Sequence, residues 1–342
     1  MSMLTIEDLV VRVRSQDGPR TIVDGVSLDI ERGEALGLVG ESGSGKSITA
    51  RTVLGLFPAG SQVSGRIEVD GFSVLGADRR GLTALRSRRV AMIFQDPRAH
   101  INPVHRIGDF LTEALRRHLG MDRAGAARRA VGLLADVGIP DGERRLRQYP
   151  HELSGGLLQR VMIAAAIAIE PDLILADEPT TALDVTTQSE VMAILGELRT
   201  QRGMAMLFIT HDLELAAATC DRTAVMYAGR IVERQPSKSL AQQPLHPYTS
   251  GLLGSRPSIE TVAHRLPVIP GRPVAAFEAG EGCAFAPRCG FALDRCHRER
   301  PPVEHRLEGE VACHRHEELT GVLAGEPIAA PTGAPVERSV DV

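Results

Sequence analysis

The residues Gly40-Glu41-Ser42-Gly43-Ser44-Gly45-Lys46-Ser47 have the types and spacing of a loop that wraps a polyphosphate. In such a loop glycines let backbone N–H groups turn inward, the helix that follows adds the positive end of its dipole, and a lysine neutralises the outer phosphates. Gly40, Gly43, Gly45 and Lys46 meet those demands, with Glu41, Ser42 and Ser44 completing the turn. Ser47 places a hydroxyl where Mg²⁺ sits between phosphates. The lysine is no accident of abundance, because Lys46 and Lys238 are the only lysines in the chain.

Two carboxylates and a histidine follow at the ends of apolar runs. Asp177 ends Leu173-Ile174-Leu175-Ala176, and Glu178 is the next residue. Adjacent side chains at a strand end diverge, so one carboxylate can serve Mg²⁺ while the other polarises an attacking water. His211 follows a second run, Leu207 to Thr210, which brings it up beside the same phosphates. A solvated acidic loop and a structural histidine are the plainer readings. The phosphate loop upstream weighs against both.

These residues need a scaffold of parallel strands with helices between them. Ala35 to Val39 is a short apolar run entering the glycine loop, and Lys46 to Leu56 has helical spacing, which is the strand–loop–helix setting this loop requires. Val90 to Phe94, Leu173 to Ala176 and Ala205 to Thr210 read as buried strands, with a helix over about 185–202, so the fold class is α/β with a parallel sheet. Residues 4–13 and 25–30 alternate and predict an antiparallel edge, with 65–71 as a hairpin arm. Between about 103 and 170 the pattern is helical. Past residue 235 prolines and glycines recur, which predicts a loop-rich extension rather than another sheet domain.

The order of these motifs resembles that of the ABC-type nucleotide-binding subunits, a P-loop NTPase family. Gly40–Ser47 is similar to the Walker A loop, Gln95 to the Q-loop glutamine and Leu153-Ser154-Gly155-Gly156 to the ABC signature. Leu173–Glu178 resembles the Walker B strand, Ala182-Leu183-Asp184 the D-loop and His211 the switch histidine. The resemblance implies an ATPase that uses ATP and Mg²⁺. Glu178, His211 and Gln95 are then catalytic, with Ser47, Gln95 and Asp177 at the metal. Ser154, Gly155, Gly156 and Asp184 would act on nucleotide held by an opposite subunit. Leu157 stands where the wider family has glutamine, as in a variant seen in peptide-importer ATPases. No aromatic residue precedes Phe57, so the ring that usually stacks on adenine is missing and Arg14 or Ile22 is expected to cover the base.

Finer resemblance lies in Asp96-Pro97 with Asn102-Pro103, in His246-Pro247-Tyr248-Thr249 and in Cys283-Ala284-Phe285-Ala286-Pro287-Arg288-Cys289. These are similar to the oligopeptide, dipeptide and nickel importer branch. The branch implies a second, different ATPase subunit, two membrane permeases and an extracytoplasmic solute-binding protein, with this chain peripheral on the cytoplasmic face of the membrane. Nickel or another small solute is the alternative cargo, and a non-transport ABC ATPase the alternative class. The implied domains are 1–240 for the ATPase, 241–320 for an extension and 321–342 for a disordered tail.

Four cysteines, Cys283, Cys289, Cys296 and Cys313, crowd that extension. Their spacing lacks the tight pair usual at zinc, which favours a [4Fe–4S] cluster over Zn²⁺ or plain thiols. His297, His305, His314 and His316 leave mixed ligation open, while Cys220 reads as a buried small hydrophobe. The net charge of −4 is spread along the chain and gives no footprint for nucleic acid. The start, up to Gly18, shows no secretory signal. The longest strongly apolar run, Val161 to Ile169, is about half of the roughly 20 residues needed to span a bilayer.

Overall fold

A computed structural model describes residues 2–16, 18–181, 183–255, 268–306 and 308–323. Ala182 and nearly all of the expected tail lie outside them. At the centre, strands Ala35–Val39, Ala205–Thr210, Leu173–Asp177 and Val90–Ile93 run parallel in that order. All but one of these strand residues reach at most 8% exposure, as continuous apolar runs do when both sheet faces are covered.

Strand alternation divides the core in two. Ile174, Ala176, Met206 and Phe208 face the helices, whereas Leu173, Leu175, Leu207 and Ile209 face the second sheet. That second sheet is antiparallel, with Gly18–Glu31, Ser2–Ser15, Gln62–Val69 and Phe72–Ser73 side by side. It fulfils the expected edge, and its two long strands exceed the alternating segments because β-bulges let each continue past breaks in the pattern.

On the other face, helices Ile107–Arg117, Arg123–Asp136 and Gly155–Ile167 form a helical group. Ile107, Leu111 and Leu115 recur one turn apart and are buried, which is the stripe that docks the first of these helices. Asp122 caps the second by accepting from the Gly125 N–H at 2.9 Å.

The extension differs from expectation. It adds Glu304–Arg306 and Gly309–Val311 to the central sheet, the latter pairing antiparallel with Arg230–Pro236. Both strands are three residues long and mostly polar, so no hydrophobic alternation announces them. The extension is fastened by an aromatic cluster, with ring centroids 4.7 Å apart for Tyr227–Tyr248 and 5.3 Å for Tyr248–Phe285. Such pairs add about 0.5–1.5 kcal/mol each beyond the area they bury. Among the described residues no helix is long and apolar enough to cross a membrane.

Candidate functional site

A cleft of about 630 Å³ opens at the carboxyl ends of the parallel strands, lined by the phosphate loop with Ile22, Gln95, Glu178, His211 and Leu252. The loop joins Ala35–Val39 to the helix Lys46–Val53. Two glycines are dictated by space. A Cβ at Gly40 would come within 2.1 Å of the Met226 carbonyl oxygen, and one at Gly45, whose φ is +108°, within 2.7 Å of the Met226 side chain. Lys46 is 5% exposed. Its Nζ donates to the Gly40 carbonyl at 2.7 Å and the Glu41 carbonyl at 2.9 Å. Burial pulls its pKa down, while the charges of Glu178, Asp177 and Glu41 oppose that shift.

Ser47 and Asp177 meet from opposite sides, Ser47 Oγ donating to Asp177 Oδ1 at 2.7 Å. A hydroxyl and a carboxylate so joined form one hard-oxygen face, suited to Mg²⁺. Burial raises the Asp177 pKa, with the Ser47 hydrogen bond working against it. A carboxylate raised in this way weakens the fold wherever it is ionised. The penalty holds above its folded pKa and fades as pH falls towards the unfolded value. Asp177→Asn is therefore expected to raise the Tm of the nucleotide-free chain at neutral pH, yet lower MgATP turnover by ~10²-fold or more. Thermal melts beside steady-state assays check both signs.

Glu178 sits one residue on, with φ +46°, a conformation few non-glycine residues adopt and one that concentrates at working sites. Its N–H donates to the Ile209 carbonyl at 3.0 Å, which fixes the turn. Its Oε2 accepts from Gln95 Nε2 at 3.1 Å and from Thr181 Oγ1 at 2.7 Å, with His211 Nδ1 3.7 Å away. Gln95, Glu178 and His211 are thus together at the cleft. Thr181 was not foreseen, although its place three residues after Glu178 puts a hydroxyl within reach of the carboxylate.

Ser154, Gly155 and Gly156 do not line this cleft. They open the helix Gly155–Ile167, where Ser154 Oγ accepts from the Leu157 N–H at 3.3 Å. Asp184 lies apart too, capping Val185–Arg202 by accepting from the Thr187 N–H at 3.0 Å. The two segments touch through Thr187, whose methyl group would be 2.6 Å from a Cβ on Gly156.

Two elements that sequence reasoning left without a role close the cleft. Helix Pro247–Gly254 brings Leu252 to it, and Tyr248 Oη accepts from the Glu41 N–H at 2.9 Å. Arg288 forms a two-pronged ion pair with Glu41, at 2.7 and 3.1 Å. Of the two residues expected near the base, Ile22 lines the cleft and Arg14 does not.

A family model described as "ABC transporter" matches residues 23–181, and one described as "Oligopeptide/dipeptide transporter, C-terminal region" matches 232–296. The oligopeptide transport ATP-binding protein OppD of Salmonella typhimurium is 41% identical over 314 residues, covering 92% of this chain and 93% of that one. The chain belongs to the ABC transporter ATP-binding proteins. The dipeptide transport ATP-binding protein DppD of Escherichia coli is similar as well, at 40% identity over 92% of this ABC ATPase and 97% of DppD. Among solved structures, the dimeric post-hydrolysis state of the ATP-binding cassette MJ0796 bound to ADP and Pi aligns with a TM-score of 0.62 and 26% identity. It covers 69% of this chain and 99% of that one. The ABC ATPase therefore uses ATP with Mg²⁺ and hydrolyses it.

The four extension cysteines of this ABC ATPase line one small, nearly apolar cavity of about 20 Å³, joined by the buried His246 and, of His297, His305, His314 and His316, by His314 alone. Burial pushes the Cys289 and Cys313 thiols up to about 12. Among the described residues no three or more His, Cys, Asp or Glu side chains are arranged to hold a metal ion. The expected metal site at Cys283, Cys289, Cys296 and Cys313 is thus not preformed. Cys220 is buried as a small hydrophobe, and burial drives its thiol pKa far up.

Proposed function

We propose that this ABC ATPase powers an importer of di- and oligopeptides. The observation that carries the reading is the pairing of a complete nucleotide cleft with the extension matched by the peptide-transporter model, on one chain. Lys46 and the loop N–H groups hold the phosphates, while Ser47 and Asp177 hold Mg²⁺ with Gln95 beside it. Glu178 accepts a proton from the attacking water as it reaches the γ-phosphorus, and His211 steadies the phosphate from the next strand. Ile22 and Leu252 flank the base.

Ser154, Gly155 and Gly156 lie outside the chain's own cleft, which supports a role on a second subunit's nucleotide. A helix N-terminus there offers N–H donors and positive dipole to a γ-phosphate. ATP then joins two ATPase subunits, and hydrolysis between them frees the pair to open and move two membrane permeases. A different second ATPase and a solute-binding protein complete the assembly, with this chain on the cytoplasmic face of the membrane. Residues 1–240 act as the ATPase unit and 241–320 as the extension. Uptake of labelled di- and oligopeptides, with nickel alongside, tests the cargo. Loss of peptide uptake alone on deleting the chain supports the reading, and loss of nickel uptake alone overturns it.

The four extension thiols are read as ligands of a [4Fe–4S] cluster. Support comes from the donor set, since four thiols and no carboxylate border one cavity. Bound, the group would stabilise the extension by cross-linking it and would hold the sulfurs as thiolates. Protein purified without oxygen should be brown and carry about four irons per chain. A colourless, iron-free protein contradicts this reading.

A further inference from the structure

The extension does more than cover the sheet edge, because two of its side chains grip the phosphate loop at one residue. Arg288 is 4% exposed and all three of its guanidinium nitrogens donate hydrogen bonds. Nη1 donates to Glu41 Oε2 at 2.7 Å and to Tyr227 Oη at 3.3 Å, Nη2 donates to Glu41 Oε1 at 3.1 Å, and Nε donates to the Pro270 carbonyl at 2.8 Å. From the other side Tyr248 Oη accepts from the Glu41 N–H. The Glu41 carbonyl in turn accepts from Lys46 Nζ. Side chain, N–H and carbonyl of one loop residue are therefore fixed in a line that runs from the extension to the phosphate-binding lysine.

The far end of that line is equally well built. Glu233 is buried and accepts from the N–H groups of Leu245 at 2.8 Å and His246 at 2.9 Å. His246 Nδ1 accepts from the Tyr248 N–H at 3.0 Å, which starts the helix that carries Tyr248 and Leu252. Arg288 directly precedes Cys289, which lines the thiol cavity, and Phe285, which also lines it, packs on Tyr248.

We propose that Arg288, together with Tyr248, is a positioning residue for the phosphate loop. It acts through Glu41 on Lys46 and on the loop N–H groups, so the extension sets the affinity of the site for MgATP. A lysine does not replace it, since only a guanidinium reaches both carboxylate oxygens while also donating to the Pro270 carbonyl. The inference rests on the nucleotide-cleft reading above.

The test compares the full-length chain with Arg288→Met, Arg288→Lys, Glu41→Gln and the Arg288→Met/Glu41→Gln double variant. MgATP KM and kcat are measured separately, with melts to follow folding. Arg288→Met should raise KM between about tenfold and a hundredfold with a smaller change in kcat, because a misplaced loop binds phosphate poorly. Arg288→Lys should restore only part of that loss. In the Glu41→Gln background Arg288→Met should add little, since both act on one contact. Glu41→Gln alters the loop side of the contact and keeps every extension residue, with Arg288 left short of its charged partner, so with its own melt as control it reports on the loop even if Arg288→Met folds badly. An unchanged KM in Glu41→Gln, or a full additional loss in the double variant, overturns the proposal. If the unaltered chain neither binds nor hydrolyses MgATP, the cleft reading itself fails, which is a separate outcome.

Discussion

Glu178→Gln should leave MgATP bound and stop its hydrolysis. The substitution keeps the shape of a side chain that already accepts from Gln95 Nε2 and Thr181 Oγ1, while removing the charge that takes a proton from water. General-base catalysis contributes about 10²–10⁴-fold, so turnover should fall by at least that range. Binding depends on the loop, Ser47 and Asp177, which the change does not touch. With ATP retained between two signature-bearing subunits, the closed pair should accumulate. Single-turnover hydrolysis in the assembled complex, beside nucleotide retention on a gel-filtration column, checks this. A normal rate would remove Glu178 from the role of base.

Lys46→Ala should have the opposite profile, losing nucleotide before it loses anything else. Among the described residues Lys46 is the one lysine or arginine in the cleft lining, and it donates to carbonyls of the loop that surrounds the phosphates. Charge-assisted hydrogen bonds are worth about 1.5–3 kcal/mol, and two or more lost at once lower affinity by about a hundredfold or more. Folding should suffer little, because burial already opposes the charged form of Lys46 in the nucleotide-free chain. Titration with a fluorescent ATP analogue and a melt together separate the two effects. Unchanged affinity, or collapse of the fold with no binding change measurable, would contradict the assignment.

The catalytic half of the site was legible in the sequence because its residues follow strands that announce themselves. Leu173 to Ala176 and Leu207 to Ile209 are apolar throughout, as buried parallel strands must be, and Asp177, Glu178 and, after Thr210, His211 stand at their ends. The glycine loop was legible for a related reason, since Gly40 is imposed by a backbone contact that allows no Cβ and Gly45 by a φ of +108°. The regulatory half was not legible. Arg288 lies 247 residues from Glu41 in the chain, and an arginine among 39 basic residues carries no mark of its partner. Glu304–Arg306 and Gly309–Val311 escaped for want of alternation, being short polar strands that pair with each other and, through Gly309–Val311 alone, with Arg230–Pro236. The crowding of four cysteines led to an expected metal site, whereas the described residues show the four thiols along one small cavity in no arrangement that holds a metal ion. That crowding did not fix how close they come.

Hydrolysis at Glu178 is proposed to drive peptide uptake by the importer that this chain powers. Labelled di- and oligopeptide uptake, measured in cells carrying either the native chain or Glu178→Gln at equal abundance, tests it most directly. Uptake is expected with the native chain and is expected to be lost with Glu178→Gln despite retained ATP. Equal uptake by both would contradict it.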